Sequence, residues 1–270
     1  MINKSLLEKR FSKNSATYND YANVQRIMAA SLLSFTQPEP ADPPTSILEI
    51  GSGTGLLTKQ LADKYPDALI DAIDLAPGMI DSAKHYVQNK NVTFTCCDYE
   101  EVKLTRNYDL IVSNATFQWF NHLSDTIAKT CNHLNRGGQV LFSTFGPSTF
   151  YELNQSMQAA KLKISYEKRV EVSQRFLSLE DLLTICQGNS DETRCNVNGY
   201  EELHVEMFSE VRDFLKSINK IGASNSNTEH QSQSVSLFRE MCTIYKERFL
   251  TEQGNIPATY HTLYIHILKE

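Results

Sequence analysis

Short apolar runs alternate with amphipathic stretches through the middle of the chain, and that alternation predicts most of its architecture. The first 35 residues read as helical, with Val24, Ile27, Met28, Ser31, Leu32 and Phe35 recurring at spacings of three and four. A stiff connector follows, because four of the eight prolines fall between Pro38 and Pro44. From Ser46 the period changes. Strands are predicted over 46–50, 68–74, 92–96, 108–113 and 139–145. Helices separate them: 55–64, with Leu57 and Leu61 one turn apart; 77–88, with Pro77 at its first position and Ile80, Ala83 and Val87 on one face; and 123–134, ending at Gly137-Gly138. Strand and helix alternating at this pace predict an α/β fold, a mostly parallel sheet with helices on both faces.

Beyond residue 145 the alternation lapses. Residues 146–177 are expected to be mostly helical, followed by a helix at 179–187 and a turn-rich stretch at 188–199. Two further strands are predicted at 203–208 and 259–268, the second alternating Tyr260, Thr262, Tyr264 and His266, which brings the sheet to seven strands. A helix at 211–221 and a polar loop at 224–234 lie between them. A last helix there presents Val235, Phe238, Cys242 and Tyr245 on one face. The divisions expected are a helical N-terminal segment, 1–36, and a main domain, 45–270, with 146–177 as an insertion after the fifth strand.

Composition narrows the function classes. A formal charge of −6, from 26 basic and 32 acidic side chains, argues against a general nucleic-acid binder. No run approaches the ~20 apolar residues of a membrane span, and no apolar leader follows the first residues. The six cysteines form no Cys-x-x-Cys pair, so no metal site is expected, and reduced thiols in a cytoplasmic protein are.

The most informative segment is Ile47-Leu-Glu-Ile-Gly-Ser-Gly-Thr-Gly55, which leaves a strand and opens a helix. Glycines at 51, 53 and 55 let the backbone turn tightly and approach a ligand. Asp74 closes the next strand, where a carboxylate accepts hydrogen bonds from both ribose hydroxyls. A dinucleotide fingerprint would put glycine at 56, but that residue is Leu56. Glu49 precedes the turn by two residues, and a nearby carboxylate favours the cationic amino-acid end of S-adenosylmethionine. Glu-x-Gly-x-Gly-x-Gly therefore resembles motif I of the Rossmann-like class I methyltransferases. A turn that merely joins strand to helix is the plain alternative, and the combination of Glu49, three glycines and Asp74 argues against it. Asp98 ends the third strand, where such enzymes hold the adenine amino group; Met79 is placed to pack on the adenine, and Asn114 follows the fourth strand. Ser52, Leu75 and Tyr99 complete the expected donor site. Each of these also fits an ordinary loop or core role.

Further segments carry a closer resemblance: Arg10-Phe-Ser-Lys-Asn-Ser-Ala-Thr-Tyr18, Ser113-Asn-Ala-Thr-Phe-Gln-Trp-Phe120, Phe142-Ser-Thr-Phe-Gly146, Ser217-Ile-Asn-Lys-Ile-Gly-Ala223 and Thr259-Tyr-His-Thr-Leu-Tyr264. They are similar to the malonyl-[acyl-carrier-protein] O-methyltransferases of biotin synthesis, along most of the chain. Trans-aconitate and quinone-pathway methyltransferases share parts of them. The resemblance implies methylation of the free carboxylate of a malonyl thioester on acyl carrier protein, or on coenzyme A, with S-adenosylmethionine as donor. It implies that residues 1–36 fold over the donor, with Tyr18 closing its methionine end, and that Gln118, Trp119 and Phe120 wall the acceptor pocket. A malonyl carboxylate is ionised at neutral pH and needs no general base, so His122 is expected as a loop residue. It does need a positive partner, for which an arginine such as Arg169 or Arg175 is suited. From Ala159 to Arg175 five basic residues, Lys161, Lys163, Lys168, Arg169 and Arg175, face two acidic ones, Glu167 and Glu171. That surplus suits an acidic carrier protein, and equally a solvated helix face. Tyr18, Trp119 and Arg169 are the residues expected to align and cover the reacting groups. The alternatives kept open are a carboxyl methyltransferase of a small free acid such as trans-aconitate and a quinone-pathway-like methyltransferase.

Overall fold

The computed structural model describes residues 1–35, 43–168, 170, 174–188, 195–223 and 234–270. Five strands open the sheet: β1 (Ser46–Ile50), β2 (Leu69–Asp74), β3 (Val92–Cys96), β4 (Tyr108–Asn114) and β5 (Leu134–Phe145). β6 (Cys195–Phe208) and β7 (Ile256–Lys269) complete it. The order is β3-β2-β1-β4-β5-β7-β6. The first five strands pair in parallel, and β7 runs antiparallel between β5 and β6. Ile47, Leu48, Glu49 and Ile50 are all buried, as a central parallel strand covered on both faces requires.

Helices α1 (Lys4–Tyr21) and α2 (Asn23–Phe35) precede the sheet; α3 (Leu56–Lys64), α4 (Pro77–Tyr86) and α5 (Leu123–Asn132) alternate with its strands. α6 (Tyr151–Lys163), α7 (Leu179–Gly188), α8 (Val211–Lys220) and α9 (Val235–Phe249) follow. One core layer joins α2, α3, α6, α8 and α9 to the sheet through Met28, Leu61, Met157, Phe214 and Tyr245. The opposite layer packs Ile127 and Cys131 of α5 and Leu182 and Cys186 of α7 on Leu48, Ile111 and Ile265. The chain reverses direction between β1 and β4, and the crevice outside the carboxyl ends of these strands is where such sheets bind ligands. No helix among the described residues is long and apolar enough to cross a membrane.

Several boundaries differ from the sequence expectation. The helix expected to end at Gly137-Gly138 stops at Asn132, and β5 begins at Leu134. The two glycines lie inside that strand, at a shift in its register with β4, and Gly137 has φ +74°, the left-handed conformation of a bulge residue. In the 146–177 segment the only helix among the described residues is α6; Ser165, at φ +52°, turns the chain away just after it. Residues 195–199, expected as turns, are strand, because β7 pairs with β6 from Cys195↔Lys269 onward. Val235 is 68% exposed, and α9 buries Leu237, Met241, Ile244 and Tyr245 instead, since α6 packs along that side. Ile27 likewise faces solvent, while Val24, Met28 and Leu32 are buried. The loop expected at 224–234 lies, apart from Ser234, outside the described residues.

Candidate active site

The three glycines between β1 and α3 each answer a different steric demand. Gly51 (φ +75°) starts the turn; its N–H and that of Ser52 both donate to the Ile73 carbonyl, at 2.8 and 2.9 Å. A Cβ on Gly51 would lie 2.1 Å from Thr116 Oγ1. Gly55 (φ +88°) precedes α3, and a Cβ there would meet Val87 of the α4 C-cap at 2.9 Å. Gly53 (φ +54°) has nothing within 4 Å of where its Cβ would stand, so bare backbone faces open space.

That space belongs to a cleft open to solvent, whose empty volume, counting the solvent at its mouth, is about 670 Å³. Asp74 lies at its base. Its Oδ2 accepts the Gly53 N–H and its Oδ1 the Ala76 N–H, each at 2.8 Å. Burial raises its pKa to about 6, against the pull of those two backbone donors. Asp74 is thus ionised at neutral pH with lone pairs left to accept from a ligand. Glu49, 1% exposed, lies below the turn and does not line the cleft. Burial lifts its pKa to about 8, although Thr58 Oγ1 donates to Oε2 at 2.5 Å, and the Asp74 charge adds to the rise. Its carboxyl is therefore protonated at neutral pH.

Of the residues singled out in the sequence, Tyr18, Gly51, Gly53, Asp74, Leu75 and Met79 meet around this cleft, as do Asp98, Tyr99, Asn114 and Trp119. Three of the expected donor-site residues do not: Glu49, the buried Ser52, and Gly55 at the helix entrance. Arg169 lies outside the described residues. Asp98 already has a cation, Lys4 Nζ at 3.2 Å, which also pairs with Glu100 Oε2 at 2.7 Å. The Asn114 side chain is engaged on both sides, donating to the Gln25 carbonyl at 2.9 Å and accepting from Ser143 Oγ at 2.7 Å. Tyr99 presents its ring, since its hydroxyl bonds Thr130 Oγ1 at 3.0 Å. The Tyr18 hydroxyl is held well above its ordinary pKa, first by burial and then by the Asp74 charge.

Sequence reasoning missed Lys4, Leu7 and Phe11 of α1, and Cys97 and Thr116. A signal for the first group existed: Lys4, Phe11 and Tyr18 are seven residues apart, one face of a helix. The Phe11 ring meets Trp119 edge-on at 5.9 Å and Tyr18 at 6.5 Å, so α1 closes the aromatic side of the cleft. Trp119 belongs to a 3₁₀ turn, Phe117–Trp119, reached through Ala115 in a left-handed conformation (φ +51°). Phe120 also lines the cleft; Gln118 instead bonds Ala115 O and Thr144 Oγ1, and His122 is exposed. In the basic stretch Lys163 pairs with Glu240 at 2.6 Å, while Lys168 and Arg175 are exposed.

Residues 47–138 match the methyltransferase-domain family. Malonyl-[acyl-carrier protein] O-methyltransferases from Bacillus anthracis and Priestia megaterium are 46% and 44% identical to this chain, over all of it and 99% of each of them. The chain belongs to the malonyl-[acyl-carrier protein] O-methyltransferase family. A family member from Acetivibrio thermocellus is 42% identical over the whole chain and 95% of its own length. Among solved structures, the plantazolicin methyltransferase BpumL, in complex with S-adenosylhomocysteine and a triazolic desmethylPZN analog, superimposes with a TM-score of 0.56 at 16% identity. That likeness covers 99% of this chain and 95% of BpumL and shows a shared fold. The fold and the family together make this malonyl-[acyl-carrier protein] O-methyltransferase family member an S-adenosylmethionine-dependent methyltransferase of the class I α/β architecture.

Proposed function

We propose that this chain methylates the free carboxylate of a malonyl thioester carried on acyl carrier protein, giving the malonyl methyl ester that primes pimeloyl and biotin synthesis. The observation that carries the reading is identity of 42–46% over the whole chain to Bacillus anthracis, Priestia megaterium and Acetivibrio thermocellus enzymes of that name. The cleft fits the donor on its own terms. Bare backbone at Gly53 leaves room for a ligand, the buried Asp74 carboxylate keeps acceptor capacity for a vicinal diol, and Ile73, Leu75 and Met79 offer apolar walls for a planar base.

When bound there, S-adenosylmethionine supplies an electrophilic methyl group on a sulfonium. Everything else is the work of the chain. Asp74 binds the ribose hydroxyls, and Asp98 accepts from the adenine amino group while Lys4 remains on Glu100. Residues 1–36 act as the cap: Phe11 and Tyr18 lie over the cleft against Trp119 and exclude water. Water exclusion favours a step in which a carboxylate and a sulfonium neutralise each other. The protonated Tyr18 hydroxyl is a donor that orients, and no base is required because the acceptor arrives ionised. Among the described cleft-lining residues Lys4 is the only cation, and it sits beside Asp98. The acceptor carboxylate accordingly takes its positive partner from the segment of Arg169 and Arg175. Gln174 Nε2 donates to the Gln118 carbonyl and Phe176 packs on Phe145 at 5.8 Å, which brings the end of that segment to the acceptor wall. Lys161 and Lys168 of the same stretch suit the acidic carrier. The net charge of −6 disfavours nucleic acid as a partner, and a cytoplasmic setting belongs to the same reading.

The test is one methyl-transfer assay with labelled S-adenosylmethionine, comparing malonyl-carrier protein, malonyl-coenzyme A and trans-aconitate. Transfer to a malonyl thioester at least tenfold faster than to trans-aconitate is expected. A preference for the free acid would replace the proposal with its small-acid alternative.

A further inference from the structure

The Thr259-Tyr-His261 stretch of β7 lies outside the donor cleft, yet it meets the point where the inserted segment leaves β5. Gly146 N–H and Thr149 Oγ1 donate to the His261 carbonyl at 2.8 and 3.1 Å, and His261 N–H returns a bond to Thr149 Oγ1 at 3.1 Å. The imidazole of the buried His261 lies against the bare Cα of Gly146, where a Cβ would come within 2.5 Å of Nδ1. Ser148 N–H donates to Nδ1 at 3.4 Å, so Nδ1 is the unprotonated nitrogen and Nε2–H donates to Glu201 Oε2 at 3.1 Å. One turn on, Phe150 N–H donates to Thr259 O at 2.7 Å, and Glu152 accepts from Thr259 N–H at 3.0 Å and from Thr259 Oγ1 at 2.5 Å. Phe150 itself is left-handed (φ +59°), a conformation that a non-glycine residue keeps only where its surroundings impose it.

From this root α6 departs, and the returning segment touches the acceptor side through Gln174 on Gln118 and Phe176 on Phe145. The ring of His261 bonds in two directions, to the Ser148 backbone and across to Glu201 on the edge strand β6. We propose that His261 is a positioning residue, which latches the Gly146–Thr149 turn and so holds the root of the inserted segment beside Phe145 on the acceptor side. The proposal deepens the carboxyl-methylation reading and rests on it for the acceptor whose KM is measured; the latch itself does not.

Two variants test it, His261→Ala and His261→Asn, the latter keeping an acceptor at the position of Nδ1. Three quantities are read: KM for malonyl-carrier protein, the S-adenosylhomocysteine Kd by calorimetry, and amide exchange of peptides covering residues 147–163. The Ala variant is expected to raise KM about fivefold, the factor that one net hydrogen bond of about 1 kcal/mol supplies. It should also speed exchange in that peptide and leave the Kd unchanged, with Asn restoring most of each loss. The proposal is overturned by a Kd that rises in step with KM, by wild-type exchange and KM in the Ala variant, or by an Asn variant as impaired as Ala. If the wild-type enzyme does not methylate malonyl-carrier protein, the substrate reading fails alone, and exchange together with the Kd still decides the latch.

Discussion

Replacing Glu49 by Gln should leave the fold intact and change how its stability depends on pH. The carboxyl is 1% exposed and titrates at about 8, against an ordinary 4.5 in the unfolded chain. Between those values the folded protein binds a proton that the unfolded chain has released. Stability from this group is therefore fully present below pH 4.5 and is lost as pH rises through 8. At 1.36 kcal/mol per pKa unit, the loss between pH 5 and pH 9 comes to about 4 kcal/mol. Gln is a neutral isostere of the protonated acid and can still accept the Thr58 hydroxyl, so Glu49→Gln carries no such loss. The assay is thermal unfolding of both proteins without donor at pH 5, 7 and 9. At roughly 2–3 °C per kcal/mol for a chain of this size, wild type should lose on the order of 10 °C more than the variant across that range. Parallel pH curves would falsify the assignment of a buried, protonated Glu49.

Asp74, titrating at about 6, should make S-adenosylhomocysteine affinity fall as pH drops through 6, because the protonated acid loses an acceptor; Asp74→Asn should flatten that profile and weaken binding roughly 10–100-fold by calorimetry. Gly51→Ala should destabilise the chain by more than about 2 kcal/mol in denaturant, since its Cβ would stand 2.1 Å from Thr116 Oγ1. Gly53→Ala, which meets nothing within 4 Å, should cost only about 1 kcal/mol of backbone strain while lowering donor affinity. Lys161→Glu should raise the KM for malonyl-carrier protein several-fold with kcat unchanged, more so at low ionic strength; an unchanged KM removes the docking role. Lys163 is a poorer test because it already pairs with Glu240.

What the sequence by itself determined is whatever local chemistry decides. β1 and β3 fall where their patterns put them: β1 is a short apolar run buried on both faces, and β3, at the sheet edge, alternates half-buried Val92 and Phe94 with exposed Thr93 and Thr95. The glycine turn was legible for the same reason: positive φ at 51, 53 and 55 is a demand each residue meets alone. Asp74 and Asp98 were legible because strand ends place them on one edge of a parallel sheet. The tertiary structure decided what depends on a distant partner. Cys195 begins a strand only because β7 lies beside it, and α9 buries Leu237 rather than Val235 because α6 packs on that side. Glu49 follows the same rule, since two residues of spacing before a glycine do not say whether a carboxylate faces the cleft or the core. Burial and the Thr58 hydroxyl put it in the core and keep its proton on. Nor does the helical period of residues 4–18 say what that face covers; Lys4, Phe11 and Tyr18 become walls of the cleft only once α1 is laid across the ends of the strands.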